Sequence, residues 1–464
     1  MCIRDSAQTG LTVLPVFINC TIKDNVAMGR GGGGALDLGA SAVFIDCKFI
    51  ENECTSGKGG AIYDDFGCSP LFENCLFVNN RAESGGAMGN DGTSNPKYNN
   101  CTFYGNIANE AGAALYQGSG PYNDPTVFNT IIWGNVCEED LRSIYSWNDC
   151  NPLVSYSCIQ DGFVGEGIVD ADPLFVDAEN MNYGLKQGSP CLTASSTGGR
   201  IGYDASLAGK RNEGDYTGII ADLKKIPLNS RPATLNLKNP VTAEMAAKTG
   251  SIVYVKSGQN GDGSSWSSAF GSIQDAVDYA NARYSADGNT VQVWVAKGTY
   301  YSGTERKDSI VLREGVELYG GFNGKEDSLD QRSIDNNKTV LSGDIGVKND
   351  LSDNSYHVLI GANDAVLDGF IVTGGNADKE DGGAVYDDKG GAILNYYGGY
   401  RVRPAQSLIG FSTVVRNCTF TNNHAIEGGV IFTYHGGNPV FEDCRFTDNT
   451  AYYGGVAVDR AGTN

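Results

Sequence analysis

The sequence predicts an all-β chain wound as a parallel β-helix, a solenoid in which each turn stacks on the one before. Three observations carry that expectation. A residue pattern recurs every 26–29 residues, anchored at Cys20, Cys47, Cys75, Cys101, Thr130 and Cys158 and again at Cys418 and Cys444. The residues around each anchor repeat at fixed offsets, with Asn, Asp or Gly wherever the chain must change direction. Glycine supplies 63 of the 464 residues and charged residues only 19%, too little charge for a coiled coil or a charged disordered tail. A leucine-rich repeat of similar period would show Leu-x-x-Leu-x-Leu, and none is present.

Each offset has a physical role. Three residues before the anchor stands an apolar residue, as in Phe17, Phe44, Phe72 and Phe441, and two after it another, as in Phe49, Phe77, Phe103, Phe420 and Phe446. Anchor and anchor-plus-two leave the same side of a strand. The residue at minus three shares that inner side only if a bend intervenes, and the minus-one position is Asn or Asp throughout: Asn19, Asp46, Asn74, Asn100, Asn129, Asn417, Asp443. These side chains tolerate the left-handed conformation that a sharp bend needs. At plus five comes Asn without exception (Asn25, Asn52, Asn80, Asn106, Asn135, Asn423, Asn449), and at plus seven a small residue, as in Ala27, Cys54 and Ala82. A Gly pair follows, as in Gly59-Gly60-Ala61-Ile62 and Gly85-Gly86-Ala87-Met88. With the bend residue, the fixed Asn and the Gly pair as corners, three short strands close one turn. Turns stacked at roughly 4.8 Å would then align identical residues, giving columns of Phe, Cys and hydrogen-bonding Asn amides.

The motifs Phe49-Ile50-Glu51-Asn52, Phe77-Val78-Asn79-Asn80, Phe103-Tyr104-Gly105-Asn106, Phe420-Thr421-Asn422-Asn423 and Phe446-Thr447-Asp448-Asn449, with Gly59 to Ile62, resemble the repeat of chlamydial-type polymorphic outer-membrane proteins and other bacterial envelope proteins. Departures such as Gly112-Ala113-Ala114-Leu115 and Gly428-Gly429-Val430-Ile431 are conservative. The resemblance implies a right-handed β-helix of the pectin-lyase-like kind and a bacterial cell-surface, outer-membrane or extracellular location.

Two tandem partial β-helices are expected, with a short capping α-helix at the start of the second. Residues 1–6 fit no signal peptide, and their back-translation matches a sequencing adapter, so they are expected to be a scar. Residues 7–219 read as the C-terminal portion of a first β-helix, ending in Asp172-Pro173-Leu174-Phe175 and Leu185-Lys186-Gln187-Gly188-Ser189-Pro190, which resemble a closing signature. Residues 220–250, with Pro227, Pro232 and Pro240 and no repeat, read as a linker. Residues 251–464 read as the N-terminal portion of a second β-helix, and the fragment as an internal piece of a longer protein. Ser272 opens a capping box, and Ile273, Ala276, Val277 and Ala280 follow at helical spacing, so a helix over 272–282 is expected to cover the open end of the second coil. The cysteines, set in buried columns, are expected to be reduced core thiols; Cys68, Cys150 and Cys191 fall off the register and their pairing is open.

Composition excludes several functions. Thirty-four Lys and Arg against 55 Asp and Glu give a net charge of −21, which disfavours nucleic acid and anionic lipid as partners. No apolar run reaches about 18 residues, so no transmembrane helix is expected. With only His357, His424 and His435, no His-rich metal site or His-based triad stands out. Polygalacturonase-like sites combine Asn-Thr-Asp, Asp-Asp, Gly-His-Gly and Arg-x-Lys; only Asp-Asp occurs, at Asp64-Asp65 and Asp387-Asp388, where solvated edge or turn residues are the better reading. His435-Gly436-Gly437 reads as a surface His. Calcium would suit the Gly-rich loop at Asp262, but no calcium-loop motif supports it, so a plain turn and no cofactor are expected. Gly31 to Gly34 falls on a repeat corner and is no phosphate cradle. Asn19, Asn100 and Asn417 match a glycosylation acceptor only because the bend Asn precedes Cys-Thr.

The columns after the Gly-Gly-Ala-Ile strand are more informative. One is expected to face outward with Asp37, Tyr63, Gly89 and Tyr116, joined in the second coil by Tyr386 and Phe432; the next carries Leu38, Asp64, Asn90, Gln117, Asp387 and Thr433. Aromatics beside amides and carboxylates suit stacking and hydrogen bonding to a sugar chain. Tyr396, Tyr397, Tyr400, Arg401 and Arg403 add aromatic and basic groups on an insertion. Solvated, Tyr-rich solenoid loops are the favoured alternative. The functional expectation is a secreted or surface-attached repeat protein, an adhesin or passenger-type scaffold that contacts extracellular polysaccharide without catalysis. The alternative is a polysaccharide lyase or glycoside hydrolase of the pectin-lyase-like fold. Limited proteolysis is expected to cut first within residues 220–250 and leave two resistant pieces; protection of that segment would defeat the two-coil reading.

Overall fold

The computed structural model describes residues 15–118, 123–140, 142–147, 150–211, 252–379, 386–395, 412–434 and 438–460. The expected scar, the expected linker, His435 and the insertion at 396–403 lie outside them. The chain divides into two compact units, Met1–Asn236 with Tyr452–Asn464, and Leu237–Ala451.

In the first unit each of the first five turns described is built from four short strands, not the three expected. The second turn is Val43–Ile45, Lys48–Ile50, Glu53–Cys54 and Ile62–Asp64. Each strand pairs in parallel with its counterpart one turn on, as Phe44↔Phe72 and Phe49↔Phe77 show, so the coil has four parallel faces, numbered here in chain order within a turn. The bend between the first and second faces is the minus-one residue, left-handed at Asn19, Asp46, Asn74, Asn100 and Asn129 with φ of 49–56°. That single residue rotates the chain so that Phe44, Cys47 and Phe49 all point inward.

The next corner differs in detail from the expectation. Its left-handed residue is at plus four (Asp24, Glu51, Asn79, Gly105, Gly134), and the invariant Asn follows it. Asn52 Nδ2 donates to Asn80 Oδ1 at 2.9 Å and to the Ile22 carbonyl of the preceding turn at 2.9 Å. The Asn52 backbone N–H donates to the same Asn80 Oδ1 at 3.0 Å. Asn25, Asn80 and Asn106 repeat the pattern, forming a continuous amide ladder through to Asn135. Beside it the rings stack: Phe17–Phe44 and Phe49–Phe77 at 4.8 Å, Phe77–Phe103 at 4.4 Å. The third corner is the first Gly of the pair, with φ of 64–76° at Gly31, Gly59, Gly85 and Gly112. A Cβ at Gly59 would lie 2.2 Å from the Ile62 carbonyl oxygen, so glycine is required there.

The sixth turn departs from the expected register. Ile131 pairs with Cys158, and Thr130 N donates to Ser157 Oγ, so Ser157 rather than Cys158 occupies the anchor column. The left-handed bend has moved with it, to Tyr156. A shift of one residue turns Cys158 to the outer side of the second face.

That outer side is covered. The closing segment folds back along the coil as a strap, burying Leu76, Val78, Ile131 and Cys158 beneath Phe175, Tyr183, Cys191, Ile201 and Tyr203. It docks on successive turns, at three of them on the bend residue: Gly202 N–H on the Asn129 carbonyl, Tyr203 N–H on Thr102 Oγ1, Asp204 N–H on Asn74 Oδ1 and Arg211 Nε on Asp46 Oδ2. The bend residues therefore have a second use as anchor points for the strap. The first unit also contains Ala457–Arg460, paired in parallel with Gly34–Asp37.

In the second unit the first face begins with Ile252–Val255 and Val291–Ala296, and continues through Val316–Phe322, Val366–Asp368, Val414–Arg416 and Val440–Glu442. Helix α1, Ile273–Asp287, is capped by Ser272, whose side chain accepts from the Asp275 N–H, and stops at left-handed Gly288. It runs past the expected end at 282, while its buried stripe is the expected Ile273, Ala276, Val277 and Ala280. The bend and ladder recur: Asn417 and Asp443 are left-handed, and Asn423 Nδ2 donates to Asn449 Oδ1 at 3.1 Å.

The inner and outer sides can be told apart by truncation. Phe77→Ala should cost about 3–5 kcal/mol through the cavity it leaves. Val78→Ala, on the outer side but buried under the strap, should cost about 2 kcal/mol, and Arg445→Ala, which is exposed, less than about 0.5 kcal/mol. Denaturant unfolding of the three variants checks the order.

Candidate functional site

The fourth face of the first unit concentrates the chemistry. Tyr63, Gly89, Tyr116 and Tyr145 stand in one column, on strands Ile62–Asp64, Met88–Asn90, Leu115–Gln117 and Ile144–Ser146. The neighbour of Tyr63 on the preceding turn is Ala35, not the expected Asp37. A cation lies over each tyrosine ring: Arg30 over Tyr63 at 4.7 Å, Lys58 over Tyr116 at 4.6 Å and Arg142 over Tyr145 at 4.7 Å. Tyr116 and Tyr145 stack with centroids 5.4 Å apart, and exposed Trp147 lies beside Tyr145.

Carboxylates tie this row together. The Tyr63 hydroxyl lies 2.9 Å from Asp65 Oδ2 and 3.0 Å from Asp91 Oδ2, so one phenolic proton serves two carboxylates. Arg30 bonds Asp65 at 3.3 Å, and Lys58 Nζ bonds Asp91 at 2.8 Å. Glycine makes the room: a Cβ at Gly89 would meet Lys58 Cβ at 2.8 Å, and one at Gly118 would meet Asp91 Oδ1 at 1.7 Å. Burial, and then the charges of Asp91 and Asp65, push the Tyr63 hydroxyl far above its usual range. The Tyr116 hydroxyl is also raised by burial, with the Lys58 ammonium opposing. At neutral pH both phenols are protonated, and Tyr63 donates to the two carboxylates.

The adjacent column lies on the opposite side of the wall. Asp64, Asn90 and Gln117 are fully buried in the coil interior, so they do not share a ligand face with Tyr63 and Tyr116 as expected. Alternation along a strand is the reason. With the Asn90 amide nitrogen turned to Asp64, its oxygen accepts from Gln117 Nε2 at 2.8 Å. Burial, then Asp91 and Asp65, hold the Asp64 carboxyl well above the usual range. The expectation of solvated Asp-Asp pairs is likewise corrected: Asp64, Asp65 and Asp387 are buried and Asp388 half-buried.

In the second unit the corner glycine is Gly390, followed by strand Ile393–Asn395. Tyr386 and Asp387 therefore precede the corner and are not in the column of Phe432, whose strand partner is Leu394. Tyr386 still reaches the Phe432 ring at 6.3 Å, and Asp387 lies 3.7 Å from Lys379 Nζ. Lys389 binds Asp388 at 2.9 Å and Glu427 at 3.1 Å. His357 is buried with Nδ1 3.0 Å from the Gly390 carbonyl, and burial lowers its pKa. Tyr396, Tyr397, Tyr400, Arg401 and Arg403 lie outside the described residues. Among the described residues no group of three or more His, Cys, Asp or Glu is placed to hold a metal ion.

Arg30, Lys58, Asp91, Arg142 and Tyr145 were not singled out from sequence. A signal existed for two of them: Arg30 and Lys58 each precede a corner glycine, and the two residues bridge each other across turns.

A family described as right handed β-helix region matches residues 2–159. Parallel in-register stacking on four faces agrees with it. The protein is a right-handed parallel β-helix. A second family, described as a protein of unknown function (DUF1565), matches residues 256–451 of the β-helix protein. Among solved structures, a PL6 family alginate lyase is similar at 10% identity and a TM-score of 0.18, over 92% of this chain and 71% of that one. No curated protein matches the β-helix protein in sequence.

Buried carboxylates also set a pH dependence. On the outer side of the first face, Glu73 accepts from Asn99 at 2.7 Å and Asn100 at 3.2 Å, and burial pushes its carboxyl up to about 7. A raised carboxyl contributes stability that is present below the unfolded value near pH 4.5 and lost as pH rises through about 7. Thermal unfolding should therefore show a loss of at most about 3 kcal/mol from Glu73 across that window. Glu73→Gln should flatten this part of the profile; an unchanged profile would show that Glu73 is ionised throughout.

Proposed function

We propose that this β-helix protein is an exported, surface-associated protein that binds acidic polysaccharide along the fourth face of its first unit and does not cleave it. The observation that carries the reading is the row of tyrosines with a cation over each ring, Arg30–Tyr63, Lys58–Tyr116 and Arg142–Tyr145. Arg30 and Arg142 are exposed; Arg142 is held by Asp140 through Nε and Nη2 and Arg30 by Asp65 through Nη1, and the N–H groups these bonds leave over are the donors offered to a sugar carboxylate. The rings beneath hold the cations at fixed positions and lower the entropy lost on binding. Tyr145 and Trp147 add a partly open aromatic surface for sugar stacking. The repeat spaces these groups along one direction, as a chain of sugar units requires. The resemblance to envelope-protein repeats supports surface location. Asp65 and Asp91 are each engaged by a cation and by the Tyr63 hydroxyl, an arrangement suited to holding the row in place rather than to proton transfer.

The test is titration calorimetry of the whole chain with polygalacturonate and alginate oligomers and a neutral glucan. Binding should be confined to the acidic glycans and should weaken with salt. Arg30→Ala and Arg142→Ala should each reduce affinity roughly three- to tenfold, and Arg445→Ala should leave it unchanged. Equal binding of the neutral glucan, or no effect of the two substitutions, would overturn the site. New unsaturated or reducing ends during incubation would overturn the non-catalytic part and favour a lyase or hydrolase.

A further inference from the structure

We propose that Cys158 and Cys191 are a disulfide-forming pair that fastens the strap to the coil. All the described cysteines are free and buried, and most sit in the inner columns where each sulfur bonds backbone carbonyls, as Cys47 does with Phe17 and Ile45. Parallel side chains in such a column do not present their Cβ vectors to one another. Cys158 and Cys191 differ from these in three respects. The register shift at the sixth turn puts Cys158 on the outer side of the second face. Cys191 lies on the strap, in the same buried cluster as Cys158, so the two approach from different elements. Cys158 Sγ bonds the carbonyl of Ala171, in the segment that leads into the strap, at 3.2 Å, whereas the inner-column sulfurs bond carbonyls of the coil.

The chemistry is thiol–disulfide exchange with a small-molecule disulfide as oxidant. While the strap is undocked, the Cys158 thiolate attacks one sulfur of the oxidant, and one thiolate of the oxidant leaves. Cys191, deprotonated, then attacks the Cys158 sulfur of the mixed disulfide and expels the second thiolate. Two protein thiols become one disulfide, the oxidant is reduced to two thiols, and these carry away the two protons. The bond closes a loop of residues 158–191 and ties the strap to the last turn described in the first unit.

The experiment uses the whole chain, refolded in a buffer of oxidised and reduced glutathione, then denatured, alkylated and digested with trypsin. Mass spectrometry should find the peptide bearing Cys191 linked to the one bearing Cys158, about 2 Da lighter than the two reduced peptides together, with the other cysteines alkylated. Cys150 shares the tryptic peptide of Cys158, so fragment ions must place the link. In Cys158→Ser the link should vanish and Cys191 should become alkylated. On oxidation, backbone hydrogen exchange in the strap should slow at least about tenfold in the wild type and not in Cys158→Ser. Full alkylation of both residues in the wild type, or a link from Cys191 to any other cysteine, would overturn the proposal.

Discussion

Both units depend on one constraint: a side chain must meet its own counterpart one turn away. Parallel in-register stacking imposes this, and the asparagine ladder shows its strength. The plus-five amides from Asn25 to Asn106 are buried and would be costly if unpaired. Asn52 is satisfied by the next Asn, by a carbonyl of the preceding turn and by the backbone N–H that its oxygen receives. Only Asn has the length and the donor–acceptor pair to make all three contacts, which explains its recurrence from Asn25 to Asn135 and at Asn423 and Asn449. The phenylalanine stacks beside it add apolar contact but leave the register less specified, since a ring tolerates sliding where an amide bond does not.

The outer side follows different rules. A strand residue pointing away from the core is normally wet, but on the second face of the first unit the strap removes that side from water as well. The left-handed Asn and Asp residues make this possible. Their backbone turns the corner, and their side chains project outward, where Asn74 and Asp46 take hold of Asp204 and Arg211. Bending and docking are therefore performed by the same residues. The one-residue shift at the sixth turn belongs to this picture, since it exchanges an inner Cys for Ser157 and directs Cys158 at the strap.

On the fourth face the charges are organised by glycine as much as by the charged residues. Gly89 and Gly118 remove side chains that would fill the space used by Lys58 and Asp91. The outcome is a row in which each cation has a carboxylate partner and an aromatic ring beneath it. Cations held this way remain at the surface with little freedom to lose, which is the property a binding surface needs.

The inner columns, the bends, the buried thiols and the capping helix were legible in sequence because each is a local rule repeated at a fixed offset. A left-handed residue, a ladder amide or an N-cap is specified by a few neighbouring residues. The opposite orientations of Tyr63 and Asp64 followed from alternation but were obscured by reading two adjacent columns as one surface. What only the tertiary structure decided has a common cause: it depends on which distant segment lies against a strand. Val78 reads as outward and wet until residues 175–203 are laid over it, and Cys158 reads as an anchor until Ser157 takes that place. Gly390 becomes the corner through its stacking on the neighbouring turn. Arg30, Lys58 and Arg142 become partners of tyrosines on other strands only when the coil closes. The sequence by itself determined the turn and its inner face, since those are set within one repeat; the outer surfaces were decided by contacts between segments far apart in the chain.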